Sequence, residues 1–99
     1  MPTLINKVIH VDNRVTSIRL AEAEWDALEL IARQENIKKT QLLRLIDNNR
    51  NAKMCFTAAV RLFALIYLHD WLEDTRHPNY QSSKIKPMSP IFKAIKGIL

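Results

Sequence analysis

The stretch from position 14 to position 20 predicts a short strand with one polar face and one apolar face. Side chains on a strand alternate between faces. Val15, Ser17 and Arg19 share the more polar face, and Thr16, Ile18 and Leu20 share the apolar face. Ser17 and Arg19 carry hydrogen-bonding heads, and a two-stranded ribbon of this kind fits the major groove of DNA. The alternative interpretation is that these residues form only the solvent face of a ribbon.

Such a strand needs a partner. An isolated strand cannot satisfy its own backbone groups, and even a lone hairpin is marginal in water. The simplest partner is the same strand from a second chain. The segment Lys7 to Val11 is also strand-like, and Asp12-Asn13 is a turn signal, so the sequence leaves a hairpin within one chain open.

Four helical segments follow the strand. Apolar spacing and breaking residues predict helices over about 22–34, 38–48 and 56–74, and Ser89-Pro90 predicts the start of a short terminal helix. Asn36 and the asparagine-rich positions 48–51 mark the breaks between them. The third helix is apolar around much of its girth. We therefore expect part of its surface to meet another subunit, with Trp25, Phe63 and Trp71 in the core or the dimer interface.

Composition limits the class of protein. The 99 residues make one folded body with a formal charge of +5, and the charge is concentrated near the strand and in positions 75–99, which hold no acid. A polyanion is therefore a plausible partner. The lone Cys55, the lack of a signal pattern and the lack of an apolar run of about 18 residues predict a cytoplasmic protein without a membrane span.

No constellation of residues supports an enzyme. His69, Glu73 and His77 are spaced for one helix face, but His77 precedes a proline and a clear fourth ligand is missing, so we expect neither a metal nor another cofactor. Cys55 has no base or orienting partner in the sequence and is interpreted as a small buried residue near a helix start.

The order of these elements resembles the ribbon-helix-helix class of DNA-binding proteins, the class of the Arc and Met repressors. It resembles most a bacterial branch with an extra C-terminal helix. The features that support this resemblance span about Lys7 to Leu72. They are the strand from Arg14 to Leu20, Glu24-Trp25-Asp26-Ala27-Leu28, Leu43 to Asp47, and Ala58-Ala59-Val60-Arg61-Leu62-Phe63. The resemblance implies a mostly α fold with a short N-terminal β-ribbon, an intertwined homodimer and a third long helix.

The resemblance also implies a site on double-stranded DNA. Its base-contacting positions match Val15, Ser17 and Arg19, and its phosphate-contacting positions match Lys38, Lys39 and Thr40 at the start of the second helix. Two positions depart from the pattern. Val15 replaces a polar or basic side chain, so this position either contacts a thymine methyl or leaves direct readout thinner than usual. Asn36 replaces the common glycine of the turn. Apart from the family, a pair such as Lys38 and Lys39 is more often a solvated helix start than a phosphate clamp, although positive charge there opposes the helix dipole and favours an anionic partner.

These observations predict two regions, a ribbon-helix-helix domain with its third helix over 1–74 and a basic tail with a short helix over 75–99. The expected function is sequence-specific DNA binding in transcription regulation. An alternative is a protein-interaction module, such as an antitoxin, that binds its partner through residues 79–99. The tail is also interpretable as a phosphate-seeking arm, a membrane-surface segment or a terminal helix that packs on its own dimer.

Overall fold

The computed structural model describes residues 3–76 and 90–99, and it opens with an antiparallel hairpin of β1 (Leu4–Val11) and β2 (Arg14–Ala21). The connection is the two-residue loop Asp12-Asn13, and Asp12 has a φ of 56°. Two-residue hairpin loops favour positive φ at their first position, and aspartate tolerates it. The predicted strand and turn are therefore confirmed.

The partner of the predicted strand is β1 of the same chain. The expectation that the strand pairs with its own copy from a second chain is corrected for this edge, because all eight residues of β2 are matched with residues of β1. The physical reason is proximity along the chain, since a two-residue loop costs far less closure entropy than an intermolecular encounter. Within the described residues, no strand lies on the other edge of β2.

The hairpin has two different faces. Ile18 and Leu20 of β2 and Ile9 and Val11 of β1 are buried against the helices. Their neighbours on each strand point away, and Val15 is 63% exposed. Burial of one face fixes the register, because a slip of one residue would turn the apolar set towards solvent.

Two helices cover the apolar face. α1 (Glu22–Glu35) buries Trp25, Leu28, Ile31 and Ala32, and it ends at Asn36 in the left-handed conformation with φ 60° and ψ 44°. Ala21 provides no side-chain cap, but the Glu24 carboxylate accepts a hydrogen bond from the Ala21 amide at 2.7 Å and supports the helix start. α2 (Lys39–Asn49) buries Leu42, Leu43 and Ile46 and ends at the predicted asparagine cluster.

The other two helices form a second layer. α3 (Phe56–Arg76) buries Ala59, Val60, Phe63 and Tyr67, while α4 (Pro90–Ile98) buries Ala94 and Ile98 against it. A Cβ atom on Gly97 would lie 2.2 Å from the Cδ1 atom of Ile66, so the glycine permits a close approach of the two helices. Residues 90–99 therefore pack on their own chain. The predicted cap Ser89 and residue His77 lie outside the described residues.

Three individual expectations have clear outcomes. Trp25 and Phe63 are core residues, as predicted, and Trp71 is half-buried. Cys55 lies just before α3 but is exposed, so its predicted burial is wrong. Its Sγ accepts a hydrogen bond from the Ala58 amide at 3.4 Å, which is a capping position that keeps the side chain at the surface.

Candidate nucleic-acid interface

The outward face of the hairpin brings the predicted base-contacting residues together. Val15, Ser17 and Arg19 are all exposed on the side of β2 that points away from the helices. The register adds a second row from β1, because Arg19 lies opposite Asn6, Ser17 opposite Val8, and Val15 opposite His10. This second row is not among the base-contacting residues predicted from the sequence. Alternation within Lys7 to Val11 together with the two-residue loop is the signal that identifies it.

Arg19 differs from most other arginines in the described part of the chain. Arg14 donates to the Asp47 carboxylate at 2.5 Å, Arg61 lies 2.8 Å from Glu24, and Arg44 lies 3.5 Å from Asp12. Arg19 forms no ion pair or side-chain hydrogen bond with any described residue. All of its donors therefore remain available to a ligand, and a guanidinium presents them as a planar fork.

The predicted phosphate-contacting residues lie together at the start of α2. Lys38 is the N-cap residue and makes no side-chain cap. Its backbone amide donates to the Gln41 side chain at 2.8 Å, and α2 has no acidic residue in its first turn. The amides of the first helical turn have no intrahelical acceptor. The helix start thus offers amide donors and positive charge to an anion.

The Lys39 side chain already has partners in the protein without DNA. Its Nζ atom lies 3.1 Å from Glu29 Oε2 and 5.4 Å from the centre of the Trp25 ring. The hydrogen bond and the positive charge of Lys39 lower the pKa of the Glu29 carboxyl below its ordinary value. A phosphate that reaches Lys39 must therefore compete with this carboxylate, whereas Lys38 and Thr40 are exposed and have no side-chain partner among the described residues.

Trp25 connects the start of α2 to the hairpin. Its indole N–H donates to the Ile5 carbonyl at 3.0 Å, and Lys7 lies over the same ring at 4.8 Å. Ile5 and Lys7 flank Asn6, which is the residue opposite Arg19. The Arg19 end of the hairpin and the basic helix start are therefore held at the same end of the molecule.

The arrangement is suited to binding. Among the described residues, no group of three or more His, Cys, Asp or Glu side chains could hold a metal ion, and His77, one of the three residues spaced for one helix face, is outside those residues. No helix in the described ranges has the length and hydropathy needed to cross a membrane. The free donors of Arg19, the hydroxyl of Ser17 and the amides of α2 are all groups that recognise bases and phosphates.

Comparison with known proteins agrees with this geometry. A family model described as "Ribbon-helix-helix domain" matches residues 4–68, which include both strands, α1, α2 and the first part of α3. No curated protein and no solved structure gives a match.

Proposed function

The chain belongs to the ribbon-helix-helix family, and from that premise we propose that it is a transcription regulator that binds double-stranded DNA in a sequence-specific manner. Val15, Ser17 and Arg19 would contact base edges in the major groove. Lys38, Lys39 and Thr40 would contact phosphates beside it. Such a regulator would act in the cytoplasm, where the bacterial chromosome lies.

The observation that carries the proposal is an Arg19 side chain without a partner among the described residues, beside Ser17 on a two-stranded ribbon. Adjacent strands lie about 4.8 Å apart, so a ribbon with its side chains enters a groove about 12 Å wide. Arginine donates two hydrogen bonds to the O6 and N7 atoms of guanine, and serine can donate or accept. The exposed Val15 would contact a thymine methyl.

We also propose that the regulator is a homodimer, since ribbon-helix-helix proteins typically bind DNA as dimers. Large apolar side chains remain exposed on the second layer of helices. Leu65 and Leu72 lie seven residues apart on α3, with exposures of 66% and 58%. A second copy that covers this face of α3 would leave the outward face of the hairpin free to contact the groove.

Sedimentation velocity tests the dimer. Leu65→Lys should shift the protein to monomer while circular dichroism stays unchanged, because a lysine at an exposed position costs little in the isolated chain. A wild-type protein that is monomeric at micromolar concentration and still binds its duplex at full affinity would contradict the dimer.

Binding titrations test the DNA contacts. Fluorescence anisotropy against random and genomic duplexes at two salt concentrations should show a preference that Arg19→Ala relaxes by about 1–3 kcal/mol. Lys39→Ala should instead weaken binding to all duplexes similarly and flatten the salt slope by about one charge. Equal loss of preference from both variants would overturn these roles.

Arg33→Ala is the matched control for Arg19→Ala. Arg33 is an exposed arginine of α1 that has no side-chain partner among the described residues, so the substitution removes the same charge away from the hairpin. Its base preference should equal that of the wild type.

A second candidate function is the capture of a protein partner, as an antitoxin captures its toxin. Two apolar side chains, Val8 and Val15, are exposed on the outward face of the hairpin, and Phe92 is exposed on α4. Because residues 90–98 pack on α3, truncation of the tail would disturb the core, and Phe92→Asp is the better variant. Loss of partner capture with unchanged DNA affinity would support this candidate.

A further inference from the structure

Two lysines from different elements share the ring of Trp25. The Nζ atom of Lys7 lies 4.8 Å from the ring centre, and the Nζ atom of Lys39 lies 5.4 Å from it. Lys39 is the first residue of α2 and one of the predicted phosphate-contacting residues. Lys7 belongs to β1 and is not among the contacts predicted from the sequence. The ring therefore brings a cation of the hairpin to the positively charged start of the second helix.

The two ammonium groups differ in their partners. Lys39 lies 3.1 Å from Glu29 Oε2, so a carboxylate already offsets its charge. Lys7 is exposed, and its side chain forms no ion pair or hydrogen bond with any described residue. Lys39 first, and Lys7 to a smaller extent, lower the pKa of the Glu29 carboxyl, so both charges act at the same place. All three N–H donors of Lys7 remain available to an anion within the described part of the chain.

Lys7 points to the helix side of the sheet. It lies opposite Ile18, which is buried against the helices, and residues opposite each other on paired strands share a face. Lys7 therefore lies on the other face from Arg19 and Ser17 and does not contact base edges with them. A compact charge on a flexible four-carbon stem is suited to a phosphate oxygen.

The proposed homodimer places β1 on the outside of the sheet. α3 packs against β2 whereas α2 packs against β1, and β2 has an open edge within the described residues. A second copy that covers the exposed face of α3 and joins this edge gives four strands with the two β2 strands at the centre. Such a sheet has a backbone span of about 14 Å, which exceeds the groove width of about 12 Å. Each β1 then lies over the phosphates at the groove wall, on the same flank as α2.

We propose that Lys7 contacts a DNA phosphate beside the phosphate bound at the start of α2. The inference rests on the proposed DNA binding and extends its phosphate site to β1. Lys39 must exchange a carboxylate for the phosphate, whereas Lys7 has no described carboxylate to give up. Lys7 should therefore contribute at least as much to the affinity as Lys39.

Salt-dependent anisotropy titrations test the proposal, with a duplex that the wild type selects from a random library. Lys7→Gln should weaken binding about 2- to 5-fold at low salt, the size expected for a surface ion pair, and leave the base preference unchanged. The plot of log binding constant against log salt should become shallower by about 0.9 per protomer, the value for one phosphate contact. Lys7→Met, which keeps an apolar stem near Trp25, should give the same loss, and Lys7→Arg should retain the wild-type slope.

Lys53→Gln is the matched control. Lys53 is exposed beyond the C-terminal end of α2 and has no side-chain partner among the described residues, so the substitution removes the same charge far from the start of that helix. Its affinity and salt slope should equal those of the wild type. Thermal melts of each variant establish that the fold is unchanged.

Neutral phosphates locate the contact. A methylphosphonate at one position of the duplex removes the charge of one phosphate, and a series of such duplexes should show the wild type losing affinity at each contacted position. Lys7→Gln should become insensitive at one of these positions, adjacent to the position at which Lys39→Ala becomes insensitive.

Three outcomes would overturn the inference. Wild-type affinity and slope in Lys7→Gln, with Arg19→Ala still relaxing the base preference, would remove Lys7 from the interface and leave the proposed function intact. Equal losses in Lys7→Gln and Lys53→Gln, with the wild-type pattern of methylphosphonate sensitivity, would reduce Lys7 to a long-range charge. A wild type that selects no duplex at all would overturn the proposed function and this inference with it.

Discussion

The arginines at the two ends of the hairpin differ in their side-chain partners. At the turn, Arg14 is held by the Asp47 carboxylate of α2, and Asp12 lies near Arg44. At the open end, Arg19 has no side-chain partner among the described residues. Arg14 and Arg19 lie five positions apart on one strand, so alternation places them on opposite faces. The face, and not the residue type, determines whether the guanidinium stabilises the fold or remains available for a ligand.

The largest expected contrast is between adjacent positions on β2. Leu20 is fully buried, so Leu20→Ala should lower the free energy of unfolding by about 2–5 kcal/mol. Arg19→Ala should change it by less than about 0.5 kcal/mol, because the side chain is exposed and has no partner within the described part of the chain. Urea denaturation of the two variants measures both values. A loss of similar size in Arg19→Ala would mean that Arg19 stabilises the fold after all.

A smaller effect is expected at the turn end of the hairpin. Asp47 accepts hydrogen bonds from Arg14 at 2.5 Å and from Arg50 at 2.9 Å, and its side chain is only 12% exposed. Asp47→Asn should destabilise the protein by about 1–2 kcal/mol, since it removes a charged acceptor shared by two donors. The partial exposure of Arg14 limits the loss.

Asp26→Asn is the control for that substitution, because Asp26 is exposed on α1 and has no side-chain partner among the described residues. Urea denaturation of the two variants at low and high salt should separate them, with salt narrowing the difference. Equal stability of both variants would show that the turn-end arginines contribute nothing to the fold.

Much of the division between buried and exposed faces follows from the sequence. Alternation in β2 is enough to place Leu20 inside and Arg19 outside, and helical spacing is enough to find the core of α1 and α2. These patterns repeat within a few residues, so local sequence carries them. The helix end at Asn36 is equally local, because it depends on the tolerance of one residue for the left-handed conformation.

The features that the sequence does not predict depend on contacts between positions that are distant along the chain. The pairing of β2 with β1 was one of two alternatives, since an apolar edge fits a copy from another chain as well as a neighbour across a short loop. Similarly, Lys39 has its partner Glu29 ten positions away on another helix, and Cys55 is exposed because its thiol caps α3. Spacing along the chain does not encode such approaches.

The hydrogen bond between Tyr67 and the partly buried Glu35 extends the comparison to a polar contact at the edge of the core. The Tyr67 hydroxyl donates to Glu35 Oε2 at 2.6 Å, and the ring is 2% exposed. Burial first, and then the Glu35 hydrogen bond and charge, raise the pKa of Tyr67 well above its ordinary value. Tyr67→Phe should cost about 1 kcal/mol near neutral pH, because it leaves the carboxylate without its donor.

The sign of the pH effect follows from linkage. A tyrosine in the unfolded chain ionises near pH 10, whereas folded Tyr67 keeps its proton to higher pH. The stability contributed by the protonated hydroxyl is fully present below about pH 10 and is lost as pH rises above it. Chemical denaturation at pH 8 and pH 11 should therefore show a smaller gap between wild type and Tyr67→Phe at the higher pH. A constant gap would contradict this assignment.

The smallest effect concerns Lys39, a partly buried side chain that already has an ion-pair partner. Lys39 is paired with Glu29 in the free protein, so in the proposed complex the phosphate must displace the carboxylate. Glu29→Gln removes the competing charge and should tighten binding to all duplexes about 2- to 5-fold, the size expected for a surface ion pair. The base preference should not change. In Lys39→Ala the same substitution should tighten binding much less, because the displaced partner is gone, and an equal gain in both backgrounds would mean that Glu29 repels DNA independently of Lys39.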